Sequence, residues 1–380
     1  MHHASDGGNR DKRFRPKVRH GILAVFVVLV GAAIVHIGLL SSGANRRLEA
    51  LHAAGQPTSL AEWAEQHRLP QGEENAAGLY EEAFAMLHDP PEDVNIPLLG
   101  HMRLPDRGVA WPEDTVEDTA SFLANNQPCL DRLHAATRIE HCWYNWECLR
   151  SLPSFREIRQ CTRLLELEMR YRAQRSDTKG ALASFQAGLH LSESLRNEPM
   201  MITYLTRMSC ITMLLAGLER SLSVAPFTDE QLCELEGMLT STATGLDVTT
   251  VLISEQCWAI EMYRDPSLFA REMGNSAVFG LPGVKKRGLL DTLDHLANCI
   301  EASKLPPAQR LARFHEIDEG LSRLSVLHFA MKQTSRLESR LISLDLRTLG
   351  NLDLALAALA IERYRLATGD VPEQLDELVP

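Results

Sequence analysis

The sequence contains few aromatic residues and few runs of β-branched residues, the side chains that favour strands. Aromatics make up only 6% of the 380 positions. Leu, Ala, Glu and Arg are abundant instead, and these residues have high helix propensity. The composition therefore predicts an all-α protein.

Recognisable catalytic motifs are also lacking. The sequence has no HExxH zinc motif, GxSxG elbow, Walker loop, CxxCH haem site or dinucleotide-binding glycine pattern. His315-Glu-Ile-Asp-Glu lacks the second His that zinc needs. Adjacent acids such as Glu81 and Glu82 point in different directions on a helix, so we expect them to be solvated. We predict no catalytic residue, no cofactor and no metal, and the sequence favours a non-catalytic role.

Cysteine is too sparse for a disulfide scaffold, with eight in the chain. Cys142 and Cys148 bracket the segment CWYNWEC, and an exported domain would allow them to pair. If both lie on one helix, their Cα atoms are too far apart for a bridge. The remaining cysteines in helical patterns are predicted to be small buried apolar residues: Cys161, Cys210, Cys233, Cys257 and Cys299.

A basic surface is missing from most of the chain. The formal net charge is −11, and residues 1–20 carry six Lys and Arg against two Asp, so the rest carries −15. Nucleic-acid binding needs a basic footprint, and we expect no nucleic-acid partner.

One long apolar stretch is present, from Gly21 to Leu40, without any Asp, Glu, Lys or Arg. As a helix it spans about 30 Å, the thickness of the hydrocarbon core of a bilayer. The basic residues before it predict a cytoplasmic N-terminus and an exported body anchored in the bacterial inner membrane, because Lys and Arg resist translocation. A cleaved signal peptide is the alternative, with Ser42-Gly43-Ala44 as a cleavage site, although its apolar region would be shorter.

Three small residues, Ala24, Gly31 and Gly38, recur every seven positions in this stretch. They lie on one helix face, where small residues would let a second membrane helix approach and form a homodimer. Ordinary membrane-helix glycines are the alternative, since no GxxxG pair is present.

The rest of the chain predicts an irregular array of antiparallel helical hairpins. We expect short helices at 45–54 and 59–67, a helix near 75–87, and helices near 115–126, 128–149, 154–174, 178–197, 199–223, 229–243 and 245–263. A long helix begins at Pro307, with an apolar stripe from Leu311 to Met331. The segment Leu352–Ile361 is apolar nearly all round and is predicted to be central and buried, and Gly369 ends its helix.

Two segments predict loops. Residues 88–114 hold five prolines, and Ile96, Leu98, Leu99 and Met102 suggest that this segment lies over the core. Residues 274–288 form the second loop, which carries Lys285-Lys-Arg287. This basic triplet is expected to be a solvated surface feature, with contact to lipid headgroups as the alternative.

The two ends of the body, Ala54–Glu62 with Glu74–Phe84 and Ala360–Pro380, resemble a family of single-pass, helix-rich bacterial envelope proteins. That family has no assigned activity to transfer. Its final motif usually leads into a short β-rich tail, so the resemblance implies a C-terminally shortened version.

The C-terminal motif, Tyr364-x4-Gly369-x2-Pro372, is also similar to type II secretion pseudopilins and type IV pilins. The chain departs from them because Phe26 occupies the position of their Glu, and because Gly43 and Gly55-Gln-Pro57 are expected to interrupt the first helix.

These observations divide the chain into a basic tail (1–20), a transmembrane helix (21–41), juxtamembrane helices with a Pro-rich loop (45–114) and a helical array (115–380). We expect an anchored scaffold or protein-interaction module whose partners are the lipid bilayer and an unknown protein. A pseudopilin-like component and an envelope hydrolase are the alternatives.

Overall fold

The computed structural model describes residues 15–91, 96–100, 102, 104–144, 155–198, 200–265, 267, 282–322 and 329–378, with side chains of the first helix from Val25 onward. The described residues confirm the all-α prediction: they contain no strand, only one isolated bridge between Pro97 and Met102. The helices are α1 Arg15–Ala53, α2 Leu60–Gln66, α3 Ala77–Met86, α4 Glu113–Asn125, α5 Gln127–Ala136, α6 Phe155–Gln174, α7 Thr178–Glu193, α8 Met201–Leu222, α9 Asp229–Thr244, α10 Val248–Arg264, α11 Pro282–Ser303, α12 Pro307–Ser322 and α13 Phe329–Thr368. A 3₁₀ turn, Leu375–Leu378, follows.

The hairpin of α6 and α7 and the following helix α8 form the centre of the body. Asp177 caps α7 by accepting the N–H of Gly180 at 2.9 Å, so the connection from α6 is a tight turn. Gly188 of α7 lies against Leu214 of α8, and a Cβ at Gly188 would come within 2.4 Å of that leucine. The glycine therefore sets the close approach of the two helices.

The long helix α13 joins the two apolar cores of the C-terminal half. Its first part packs Leu341 and Ile342 with residues of α8, α10, α11 and α12. Its second part packs Leu352 and Leu359 with α8 and α9. Arg363 of α13 also contacts Asp229 and Glu236 of α9, each at 2.8 Å.

Helix α11 runs beside the C-terminal part of α1 in the same direction. The offset between contacting residues is nearly constant, in the pairs Ile37–Gly283, Ser41–Lys286, Gly43–Leu290 and Arg47–Asp294. Ala44 and Leu51 of α1 are buried with Tyr263 and Leu293. The body is therefore fixed to α1 along two parallel helices.

The prediction that α1 breaks at Gly43 is wrong, as is the separate helix at 45–54. Helix α1 is continuous from Arg15 to Ala53. Packing explains the difference, because Gly43 lies against Leu290 of α11, whose Cδ1 would be 3.5 Å from an added Cβ. The expected end near Gly55 is confirmed, with φ of +72° at that glycine.

The predicted helix 128–149 also differs, since α5 ends at Ala136. The Thr137 hydroxyl donates to the carbonyl of His134 at 2.8 Å. Beyond it the backbone pairs with another segment: the N–H of Ala76 donates to the carbonyl of His141, and the N–H of Trp143 donates to Asn75 Oδ1, both at 2.9 Å. These tertiary hydrogen bonds replace the helical ones.

The structure bears on three further expectations. The basic triplet Lys285–Arg287 lies on α11 and not on a loop, while residues 274–281 of the expected loop lie outside the described residues. The expected long helix from Pro307 is described as α12 to Ser322, where Leu311 is 37% exposed, and residues 323–328 of its apolar stripe lie outside the described residues. Cys233 is exposed, whereas the other four cysteines predicted to be buried are so.

The Pro-rich segment 88–114 packs over the body where it is described. Ile96 is fully buried, and Leu98 and Leu99 pack against the same core, which includes Leu130 and Leu164. The Thr115 hydroxyl donates to the sulfur of Met102 at 3.6 Å. The division into juxtamembrane segment and array remains a prediction.

Candidate binding groove between α8 and α13

The residues predicted to mediate packing between membrane helices lie on α1. An added Cβ at Gly31 or Gly38 would meet no atom within 4 Å. The large apolar side chains around them, from Val25 to Leu39, are 41–69% exposed except for the half-buried Ile37, which packs against α11. Ala24 belongs to α1, but its side chain lies outside the described part of the chain. The face is open to a second helix, and the dimer remains a prediction.

The proposed disulfide is only half visible, because Cys148 lies outside the described residues. Cys142 is half-buried, and burial raises the pKa of its thiol to about 12. The pairing of these two cysteines therefore stays a prediction.

A groove lies between α8 and α13. The N–H of Ser223 donates to the carbonyl of Glu219 at 3.3 Å and closes the end of α8 beside the groove. The far end of α8 is fixed by the Met201 N–H, which donates to Glu255 Oε1 of α10 at 2.6 Å. Gly369, with φ of +86°, ends α13. Between these ends the two helices share the core around Leu218 and Leu359.

The groove has a volume of about 550 Å³, within the roughly 300–1,000 Å³ range of ligand-binding clefts. It runs from Thr212 to Ser223 on α8 and from Asn351 to Glu362 on α13, about three helical turns or 17 Å on each side. Leu354 is 71% exposed in it. The apolar residues that line it are Leu215, Ala216, Leu218, Leu222, Leu354, Ala355 and Ala358.

Two carboxylates lie at the rim of this apolar groove. Glu219 pairs with Arg107 at 2.7 Å, and both side chains are exposed. Glu362 pairs with Arg365, whose hydrogen bonds hold the pKa of that carboxyl below its ordinary value. Among the described residues that line the groove there is no His or Cys, and its mainly apolar lining suits recognition of apolar surface.

Two polar clusters elsewhere in the described residues contain a histidine beside a nucleophilic side chain and a carboxylate, but they lack the order of a catalytic relay. Cys299, His295 and Glu338 are all buried. The same ring nitrogen, Nε2 of His295, lies 3.5 Å from both the thiol and the carboxylate. A relay needs two ring nitrogens, one facing the nucleophile and one facing the acid. This cluster is therefore a packed polar contact.

A second cluster joins α5, α6 and α7. Glu168 accepts hydrogen bonds at 2.8 Å from His134 Nε2 and from the Ser184 hydroxyl. The Glu168 carboxylate lies between His134 and Ser184, so His134 is not placed to accept the Ser184 proton. Within the parts of the chain that the structure describes, no group of three His, Cys, Asp or Glu could hold a metal ion.

The sequence does not reveal the groove, because its pattern predicts that Leu352–Ile361 is buried on all sides. The structure corrects this: Leu352 and Leu359 are fully buried, but Leu354 is exposed and Ala358 faces the groove. The signal that could have found it is the apolar residue on the face opposite to the buried stripe.

Comparisons with protein-family models, with curated proteins and with solved structures found no match to this chain.

Proposed function

We propose that the protein is a membrane-anchored, extracytoplasmic helical module that binds an amphipathic helix of a partner protein in the groove between α8 and α13. The observation that carries this proposal is Leu354, a large apolar side chain that is 71% exposed inside a groove whose other apolar lining residues are leucine and alanine. Exposed contiguous apolar surface favours association, because covering it removes it from water.

The anchor is helix α1. Two helices among the described residues are long and apolar enough to cross a membrane, the Val25–Ala53 part of α1 and α8. Two thirds of the apolar part of α8 is buried, as in the core helix of a soluble body, whereas only 6% of that of α1 is buried. The six basic residues before Gly21 favour a cytoplasmic N-terminus and an exported body.

The shape and charge of the groove favour a helix over a compact ligand. Its length of about three turns on each side matches apolar positions at i, i+3, i+4 and i+7 of a docked helix. Glu219 and Glu362 at the rim pair with Arg107 and Arg365, but exposed ion pairs are weak, so a Lys or Arg beside the apolar stripe of that helix can share either carboxylate. Apolar anchors would supply most of the affinity, and rim charges the orientation and rate.

The test uses the full chain in nanodiscs and a fluorescent helical peptide with a leucine stripe flanked by lysines. The expected result is binding that Leu354→Asp weakens at least about tenfold, because a carboxylate placed against the bound leucines loses its hydration. The matched control is Leu366→Asp, which changes a 43% exposed leucine on the same helix outside the groove and should leave binding unchanged.

Two outcomes would contradict this proposal. A peptide of the same composition but without the apolar stripe could bind equally well, which would show that charge alone attracts it. Alternatively, a compact apolar dye could bind in a Leu354-dependent way while the helical peptide does not, which would make the groove a site for small ligands.

A pseudopilin-like role is a second candidate, favoured by one observation. Helix α1 is continuous through Gly43, as a pilin-like first helix would be, although Gly55 still ends it. N-terminal sequencing of the mature protein tests this role: cleavage after Gly21 would support it, and an intact N-terminus or cleavage near Ala44 would contradict it. No cluster of the described residues favours the envelope hydrolase.

A further inference from the structure

Five cationic side chains surround the place where α1 leaves its apolar stretch. Two belong to α1, Arg46 and Arg47, and three to α11, Lys285, Lys286 and Arg287. The same stretches of the two helices also carry three carboxylates, Glu49, Asp291 and Asp294. Arg287 pairs with Asp291 at 2.9 Å and Arg47 lies 3.6 Å from Asp294. The patch keeps a net positive charge on a body that carries −15 beyond residue 20.

The parallel packing of α1 and α11 sets the depth of this patch relative to the apolar stretch. Gly283 lies beside Ile37, at 3.3 Å from an added Cβ to Cγ1 of that residue. Ile37 lies three residues, about 5 Å, before the end of the stretch at Leu40. The Lys286 ammonium contacts the Ser41 hydroxyl, just beyond that end. Lys285 and Lys286 therefore lie where lipid headgroups would meet an inserted α1.

We propose that Lys285 and Lys286, with Arg46, bind the headgroups of anionic lipids and hold the body against the membrane surface. The inference rests on the proposed insertion of α1 in a bilayer. Lys285 and Lys286 are half-buried, the partner of Lys286 is a neutral hydroxyl, and no carboxylate of the described residues forms an ion pair with either lysine. A lysine near an anionic surface favours binding roughly fivefold.

The test measures amine labelling of individual lysines in the full chain, reconstituted in nanodiscs of zwitterionic or anionic lipid. We expect labelling of Lys285 and Lys286 to fall about fivefold in anionic nanodiscs and to recover in high salt, which screens the attraction. Lys304 is the internal control, because it follows the far end of α11 and pairs with Glu301 at 2.7 Å. Its labelling should not depend on the lipid.

Equal labelling of Lys285 and Lys286 in the two lipids would overturn the inference. So would equal protection by inorganic phosphate added to zwitterionic nanodiscs, since this would make the patch a general anion site. Resistance to extraction by alkaline carbonate reports on α1 separately. A chain that stays in the membrane without lipid-dependent protection contradicts only the headgroup site, whereas a chain that is extracted contradicts the anchor itself.

Discussion

Two buried glutamates are expected to affect stability in opposite directions, and replacing each by glutamine tests this. Glu198 follows α7 and is 5% exposed. Neither carboxylate oxygen has a hydrogen-bond partner among the described residues, although the nearby Tyr144 N–H lowers the pKa. Burial dominates and raises the pKa of Glu198 to about 8 from an ordinary 4.5.

The sign of the effect follows from these two values. Between pH 4.5 and 8 the unfolded chain releases the Glu198 proton and the folded chain keeps it. The contribution of Glu198 to stability is therefore most favourable below pH 4.5 and falls as pH rises toward 8. A pKa shift of this size lowers the free energy of unfolding by at most about 5 kcal/mol. Glu198→Gln removes this loss, so the variant should exceed the parent in stability at pH 8 and match it near pH 4.

Glu168 provides the matched control, because it is 2% exposed but well partnered. Burial would raise its pKa, but the hydrogen bonds and charges of His134 and Arg172 outweigh burial and lower it. Its contribution to stability is present above pH 4.5 and is lost as pH falls through the lowered folded value. Glu168→Gln should therefore destabilise the protein at pH 7, by about 3 kcal/mol as for other broken buried ion pairs.

Urea unfolding of the full chain in detergent micelles, followed by helical circular dichroism at pH 4, 6 and 8, measures both variants. Glu198→Gln should flatten the decline of the unfolding free energy above pH 5. The reasoning is refuted if Glu198→Gln is less stable than the parent at pH 8 while Glu168→Gln loses stability as expected, because Glu198 would then have a partner that stabilises its charged form.

Two further predictions concern packing and thiol exposure. In the same urea titration, Gly188→Ala should lower the unfolding free energy by about 1–3 kcal/mol, because its Cβ would lie 2.4 Å from Leu214 Cδ2. The control is Gly237→Ala, which should be neutral or slightly stabilising because no atom lies within 4 Å of the added Cβ. Maleimide labelling followed by peptide mass spectrometry should modify exposed Cys233 in the folded protein, whereas Cys257, buried and with its pKa raised to about 12, should react only in urea. Comparable rates at both thiols would contradict the burial of Cys257.

The helix positions that the sequence predicts well are those with local capping chemistry. Thr228 and Gln231 form a capping box at the start of α9, with hydrogen bonds of 3.3 and 3.0 Å. At the start of α2, Ser59 accepts the N–H of Glu62 at 3.1 Å, and Glu62 accepts from the N–H of Thr58. A cap involves residues a few positions apart, so a single sequence contains most of its information.

The helix positions predicted incorrectly depend on distant residues. Helix α5 stops at Ala136 because the segment after it pairs with Asn75 and Ala76. Helix α1 continues through Gly43 because α11, some 245 residues later in the chain, packs beside it. Local propensity is a weak predictor where tertiary packing supplies the stronger interaction.

The candidate groove could not be predicted for the same reason, because the burial of each face of α13 depends on residues that are distant in the chain. The segment Leu352–Ile361 is apolar nearly all round, which predicts neighbours on every side. In the structure α8 and α9 cover the sides that hold Leu352 and Leu359, and no described element covers Leu354. Because the body supplies too few neighbours for this helix, apolar surface is left over in the groove. A partner helix of the proposed kind would bury that surface, and the Leu354→Asp measurement tests whether one does.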